Sequence, residues 1–168
     1  MRHTLHFVTG APGAGKSTTV QAFAAFGTEY VAFDIDWLAD TASVVLGKSI
    51  YTDASTWEPY SLLWFTVLKM IVMNGKTPVF FTPNDPSDIE KVGLPDWCSG
   101  VEWLLLDCDD AVRRSRLGRR AQWTDDMIDE AVADARELRG WIGRKIATDQ
   151  RPPNEVAAAV LAWLKETT

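Results

Sequence analysis

Leu5-His6-Phe7-Val8-Thr9 runs directly into Gly10-Ala11-Pro12-Gly13-Ala14-Gly15-Lys16-Ser17, and Thr18 opens a stretch to Phe26 whose apolar residues fit a helix. The order is therefore strand, glycine-rich turn, helix. Residues 10–17 satisfy G-x-x-x-x-G-K-[ST] in the one structural context the pattern requires, after a strand and before a helix. Glycines let the backbone turn with its N–H groups facing inward, where they and the helix N-terminus surround an anion. Gly10, Ala11, Pro12, Gly13, Ala14, Gly15 and Thr18 are thus expected around nucleotide phosphates, with Lys16 neutralising the outer ones. Ser17 is the expected ligand of Mg²⁺, the hard cation that accompanies a nucleoside triphosphate.

Outward from this loop, Tyr30-Val31-Ala32-Phe33 reads as a second buried strand ending at Asp34-Ile35-Asp36. Pro78 to Thr82 reads as a third strand, Val101 to Asp107 as a fourth and Arg144 to Thr148 as a weak fifth. Residues 37–75 are expected to be mainly helical: Trp57, Tyr60, Leu63, Trp64, Val67, Leu68 and Ile71 recur at threes and fours, and Asn74-Gly75 supplies a stop. Ser87 with Glu90 has capping-box spacing. Helices are expected from Asp110 to Arg120, from Thr124 to about Arg139, and from a cap at Asn154 to the end. Strands alternating with helices predict a mostly parallel sheet covered on both faces, a three-layer α/β domain spanning 1–168 with no repeat or linker.

The 168 residues carry a net charge of −6, with 46% apolar and 24% charged side chains, which excludes a disordered chain. No run approaches a membrane span, and Met1-Arg2-His3-Thr4 leads into a strand rather than a signal peptide, so a cytoplasmic protein is expected. Cys98 and Cys108 lack CxxC spacing and read as reduced structural thiols. Residues 1–112 sum to −8 and residues 113–168 to +2. No arginine stands between Arg2 and Arg113; then Arg113, Arg114, Arg116, Arg119 and Arg120 follow in one short run. An acidic chain with one tight basic cluster suits a local anion site and argues against a nucleic-acid-binding surface.

The loop at 10–17, the acidic pair Asp34 and Asp36 after the second strand, the arginine run after the fourth and the terminal helix together resemble the small P-loop kinases. That branch includes shikimate and gluconate kinases, adenylate kinase and chloramphenicol phosphotransferase, and the resemblance spans nearly the whole chain. It implies the five-stranded sheet order 2-3-1-4-5, ATP with Mg²⁺, and transfer of a phosphoryl group to a small-molecule hydroxyl. ATP rather than GTP also follows from the resemblance, since no N-K-x-D stretch is present.

Asp34 and Asp36 fall on one side of an extended segment, where a metal and an acceptor hydroxyl would meet. Asp34 is expected to hold Mg²⁺ through water. Asp36 is expected to orient and deprotonate the acceptor, the part taken by a similarly placed aspartate in chloramphenicol phosphotransferase. Arg116 and Arg120, four apart on a helix face, match the R-x-x-x-R spacing of the family's lids, expected here over about 111–140. The resemblance adds Asp149 to Pro153, with Arg151, as an edge for the base.

Relatives that phosphorylate anionic acceptors hold them with arginines after strand two. Here Asp34 to Ile89 offers only Lys48, Lys69 and Lys76, against seven carboxylates, so a neutral or cationic acceptor with an apolar body is expected. Trp37 and Trp57 are the expected pocket aromatics, while Trp64, Trp103 and Trp163 fall on core faces. Two other functions fit the same motif: a nucleoside, nucleotide or polynucleotide 5′-hydroxyl kinase, and a non-catalytic ATP-binding regulatory module.

Overall fold

The computed structural model describes residues 2–26 and 29–168. Strand β1 (His3–Thr9) lies at the centre of a five-stranded sheet, between β3 (Thr77–Thr82) and β4 (Cys98–Asp107). β2 (Tyr30–Asp34) forms one edge and β5 (Lys145–Ala147) the other, giving the order β2-β3-β1-β4-β5 with every pairing parallel. Parallel neighbours need crossovers, and helices supply them.

Alternation along the strands sends the two sets of side chains to opposite faces. On one face Val8, Val79, Phe81, Leu104 and Leu106 pack with α1 (Lys16–Phe23) and α7 (Pro153–Thr167), whose Val156, Val160, Trp163 and Leu164 are buried. On the other, Leu5, Phe7 and Phe80 meet Tyr60, Trp64, Phe65 and Leu68 of α3 (Trp57–Met73) and Ile89 of α4 (Pro86–Val92). Leu105 carries that face onward to Ala135 and Leu138 of α6 (Asp125–Trp141). Short α2 (Ala39–Leu46) packs at the β2 edge, and α5 (Asp110–Gly118) joins β4 to α6. No helix among the described residues is long and apolar enough to cross a membrane.

Several local expectations shift. The cap of α4 is Asp85 with Asp88, not Ser87 with Glu90: Asp85 accepts from the N–H groups of Ser87 and Asp88, and Asp88 accepts from Asp85. Pro86 then occupies the first helical turn, where its missing N–H costs nothing. The same rule displaces the expected cap at Asn154, since Pro153 begins α7 and Pro152 precedes it. β4 starts at Cys98, earlier than the apolar run from Val101, because β1 pairs with it back to His3, across a register shift between His3 and Thr4. α3 stops where expected, with Asn74 at its C-cap and Gly75 at positive φ.

Candidate nucleotide and acceptor site

The residues at the carboxyl ends of the strands converge along one edge of the sheet, the position at which open α/β sheets bind ligands. After β1 the chain turns through residues 10–15 into α1. Gly10 must be glycine because an added Cβ would stand 2.6 Å from the Leu106 carbonyl oxygen of β4. Gly13 has φ +83° and Arg113 Cγ would lie 3.2 Å from its Cβ, so both backbone and space demand hydrogen there. Gly15 is the N-cap of α1 with no side-chain cap. Among the described residues the N–H groups of Gly13, Gly15, Lys16, Ser17 and Thr18 find no acceptor in the chain, whereas Ala14 N–H bonds the Ala11 carbonyl at 3.1 Å. Such a row of open donors fits a polyphosphate.

Lys16 Nζ donates to the Gly10 carbonyl. Burial pushes its ammonium down to about 8, against the pull of Asp34 and Asp36. The positive charges of Arg113 and Arg120 push in the same direction as burial. Ser17 is exposed in the first turn, and Thr18 Oγ1 turns back to the Gly15 carbonyl at 2.9 Å.

Asp34, at the end of β2, is buried and accepts from Asp36 N–H at 3.1 Å, so it caps the 3₁₀ turn Ile35–Leu38 while its charge acts on Lys16. Asp36 is exposed at the wall of a cavity of about 620 Å³. Desolvation first, and the neighbouring Asp34 charge second, raise its carboxyl above the ordinary value, with Lys16 opposing. Trp57, Tyr51 and Ile50 line the same cavity, as do Pro83 and Asn84 after β3. Thr9 Oγ1 at the end of β1 donates to the Asn84 carbonyl at 2.7 Å and ties the cavity to the phosphate loop. Trp57 is fixed by its indole N–H, which donates to the Ile50 carbonyl at 3.0 Å. The charged lining is Asp36, Glu58, Asp88 and Lys91, and Lys91 pairs with Asp88 at 3.3 Å.

Trp37, expected in this pocket, lies outside its lining. Successive side chains of a 3₁₀ turn point about 120° apart; Ile35 and Asp36 face the cavity, while Trp37 stacks edge-on with Phe33 at 6.4 Å.

The arginine run divides differently from the expected lid. Arg116 is docked: its Nη1 donates to the Gly13 carbonyl and to Thr148 Oγ1, both at 3.0 Å, and its Nη2 to the Thr148 carbonyl at 2.7 Å. Arg120 does not share its helix face, because α5 ends at Gly118 and residues 119–122 form an exposed turn. The expected lid span 111–140 is mostly anchored, with Ile128, Ala131, Val132, Ala135 and Leu138 of α6 buried. Arg151 is exposed in the loop before α7, where neighbouring Asp149 accepts from Asp109 N–H at 2.7 Å.

Three residues of the site escape a reading of the sequence. Arg113 is fully buried, Asp107 accepts from both Arg113 and Arg139, and buried Thr148 donates to the Ala14 carbonyl at 3.0 Å. One signal was present for Arg113: it precedes Leu117 by four and so shares the buried face of α5. Both cysteines are buried and unpaired, and burial raises their thiol pKa values.

No family model matches the chain, and no curated protein does. Solved structures do. A sugar kinase from Janibacter sp. superposes with a TM-score of 0.65 at 21% identity, over 97% of this chain and 95% of that one. The tunicamycin resistance protein of Deinococcus radiodurans gives 0.63 at 15% identity, over 98% and 96%. A gluconokinase from Sinorhizobium meliloti gives 0.60 at 20%, over 99% and 95%. With its sheet order and its coverage of these structures from end to end, the chain has the fold of the small P-loop kinases.

Proposed function

We propose that the protein is a Mg-ATP-dependent kinase that transfers the γ-phosphoryl group to a hydroxyl of a neutral or cationic small molecule with an apolar body. The observation that carries this reading is the shared edge: Asp36 forms the wall of the cavity while its charge acts on Lys16 of the phosphate loop. One carboxylate thus faces both an acceptor volume and the donor phosphates. The acceptor hydroxyl gives its proton to Asp36 as its oxygen bonds the γ-phosphorus, and the bond from that phosphorus to the β–γ bridging oxygen breaks to release ADP. Lys16 and the open N–H groups of Gly13 and of residues 15–18 face the charge that spreads over the transferred oxygens, and the positive charge of Arg120 acts on Lys16. Ser17, with Asp34 through water, would hold Mg²⁺, which supplies charge neutralisation at the β and γ oxygens when bound.

The acceptor class rests on the lining. It contains no arginine, its one cation is already paired with Asp88, and its aromatic residues offer apolar contact. Kinases of the same fold described as acting on a sugar or on gluconate support small hydroxyl acceptors in general. The test is phosphoryl transfer from Mg-ATP across a panel of hydroxyl compounds, with Lys16→Ala as the blank. Uncharged or amine-bearing alcohols are expected to be phosphorylated by the wild type, with transfer reduced by ~10³-fold or more in the blank. Faster phosphorylation of AMP, shikimate or gluconate than of any uncharged alcohol overturns the acceptor class; nucleotide binding with no transfer to any compound favours a regulatory module.

A further inference from the structure

The phosphate loop is held from outside as well as shaped from within. Four consecutive carbonyls, Ala11 to Ala14, each accept from a side chain of another element. Arg113 Nη1 reaches the Ala11 carbonyl at 3.2 Å and the Pro12 carbonyl. Arg116 Nη1 takes the Gly13 carbonyl at 3.0 Å, and Thr148 Oγ1 the Ala14 carbonyl at 3.0 Å. A peptide unit is planar, with its C=O and the following N–H pointing in opposite directions. Anchoring the Pro12 carbonyl outward therefore turns Gly13 N–H inward, and anchoring the Ala14 carbonyl does the same for Gly15 N–H. These are two of the donors without an acceptor in the chain.

The anchors are themselves fixed. Arg113 is fully buried and its Nη2 bonds Asp107 Oδ1 at 2.8 Å. Asp107 is gripped from its other side by Arg139, through Nε to Oδ2 at 2.6 Å and Nη2 to Oδ1 at 3.1 Å. Arg139 also bonds the Cys108 carbonyl and Asp110. Thr148 receives Arg116 on both its hydroxyl and its carbonyl. A buried guanidinium is costly unless its donors are satisfied, and only Arg113 Nε lacks a partner. The loop carbonyls of Ala11 and Pro12 satisfy Nη1, and Asp107 satisfies Nη2.

We propose that Arg113 and Thr148, with Arg116, are positioning residues that preset the phosphate loop for its polyphosphate by holding its carbonyls outward. None of them needs to touch the ligand for this. The assignment rests on residues 10–17 being the nucleotide site, and it separates the arginines of the run, with Arg113 and Arg116 holding backbone and Arg120 in the exposed turn beyond α5.

The experiment compares wild type with Arg113→Met, Arg113→Lys and Thr148→Val. Two readings are taken: calorimetric affinity for inorganic tripolyphosphate and Mg-ATP, and amide hydrogen exchange in the free protein. Arg113→Met keeps the apolar stem and removes the fork; tripolyphosphate affinity is expected to fall ~10- to 100-fold, as for other supporting shells. Arg113→Lys keeps the charge but cannot span Asp107 and two carbonyls, and it is expected to restore little. Thr148→Val, nearly isosteric, removes the bond to the Ala14 carbonyl and the one its hydroxyl accepts from Arg116, and is expected to lose ~3- to 10-fold. Exchange at Ala14, whose N–H bonds the Ala11 carbonyl within the loop, is expected to quicken in each variant while β1 amides hold. Should Arg113→Met not fold, Thr148→Val decides. Unchanged exchange at Ala14 in folded variants overturns the proposal, as does tripolyphosphate affinity within twofold of wild type or full restoration by Arg113→Lys. A wild type that binds neither probe overturns the nucleotide reading instead, and the exchange data still judge the carbonyl shell.

Discussion

In the phosphate loop, four carbonyls in succession are anchored by side chains from α5 and from the residue after β5. In the cavity beside it, the aromatic walls make single polar bonds within the neighbouring segment: Trp57 to the Ile50 carbonyl, Tyr51 to Asp40. One region spends its polar groups on fixing backbone; the other leaves apolar ring surface and the carboxylates of Asp36 and Glu58 uncommitted. The difference follows from the ligands proposed for each. A polyphosphate chain is the same in every nucleotide, so a rigid cradle suits it, whereas acceptor choice depends on side chains that can be exchanged without disturbing the sheet.

Asp36 stands between the two regions, and replacing it separates them most sharply. Asp36→Asn preserves size but removes the base, so transfer is expected to fall ~10²- to 10⁴-fold. Mg-ATP affinity measured by calorimetry is expected to stay within a factor of about three, because the anchored loop does not depend on the Asp36 side chain. Equal loss of binding and of transfer would mean that Asp36 belongs to the nucleotide side and that the two regions are not functionally distinct.

A smaller effect belongs to the cavity alone. Trp57→Ala removes the ring that lines it, and the acceptor KM is expected to rise by about tenfold, the kinetic equivalent of ~1.4 kcal/mol. KM for ATP is expected to be unchanged in the same steady-state experiment. A rise in KM for ATP with none for the acceptor would move Trp57 out of the acceptor pocket. Trp37→Ala is the internal control, since its ring packs on Phe33 outside the lining.

What could be read from the chain alone follows the same division. The loop at 10–17 and the carboxylates Asp34 and Asp36 are local patterns: strand, glycines and acids adjacent in sequence stay adjacent in space. The strand order came through resemblance, because periodicity tells which residues form strands but not which strands are neighbours. Arg113 was hidden by its company. In a run of five arginines it reads as one more surface charge, and its burial depends on carbonyls about a hundred positions away. Thr148 was hidden for the same reason, through its bond to the Ala14 carbonyl. The helical facing of Arg116 and Arg120 failed because Gly118 ends α5 between them, a local signal overruled by four-residue spacing.

The smallest expected effect lies at the opposite end of the sheet and tests whether stability there is independent of the site. His6 on β1 is buried, stacks edge-on against Trp163 at 5.5 Å, and has no hydrogen-bond partner at either ring nitrogen. Burial lowers its pKa below the ordinary value, opposed by Glu102 on β4 and the Thr167 backbone, while Arg2, His3 and Lys76 line the adjoining cleft. The folded state therefore favours neutral imidazole, and the unfolded chain takes up the proton first as pH falls. Stability contributed in this way is present above the unfolded pKa of about 6.5 and declines as pH drops toward the lower folded value. One proton limits the slope to about 1.4 kcal/mol per pH unit. Urea unfolding of wild type between pH 7.5 and 5 is expected to show that decline, and His6→Phe, which keeps the ring against Trp163 without a proton to bind, is expected to flatten it. Mg-ATP affinity at pH 7.5 is expected to be the same in both. Equal slopes in wild type and His6→Phe would assign the acid sensitivity to carboxylates elsewhere, and an affinity change would show that the core beneath β1 is coupled to the loop at its other end.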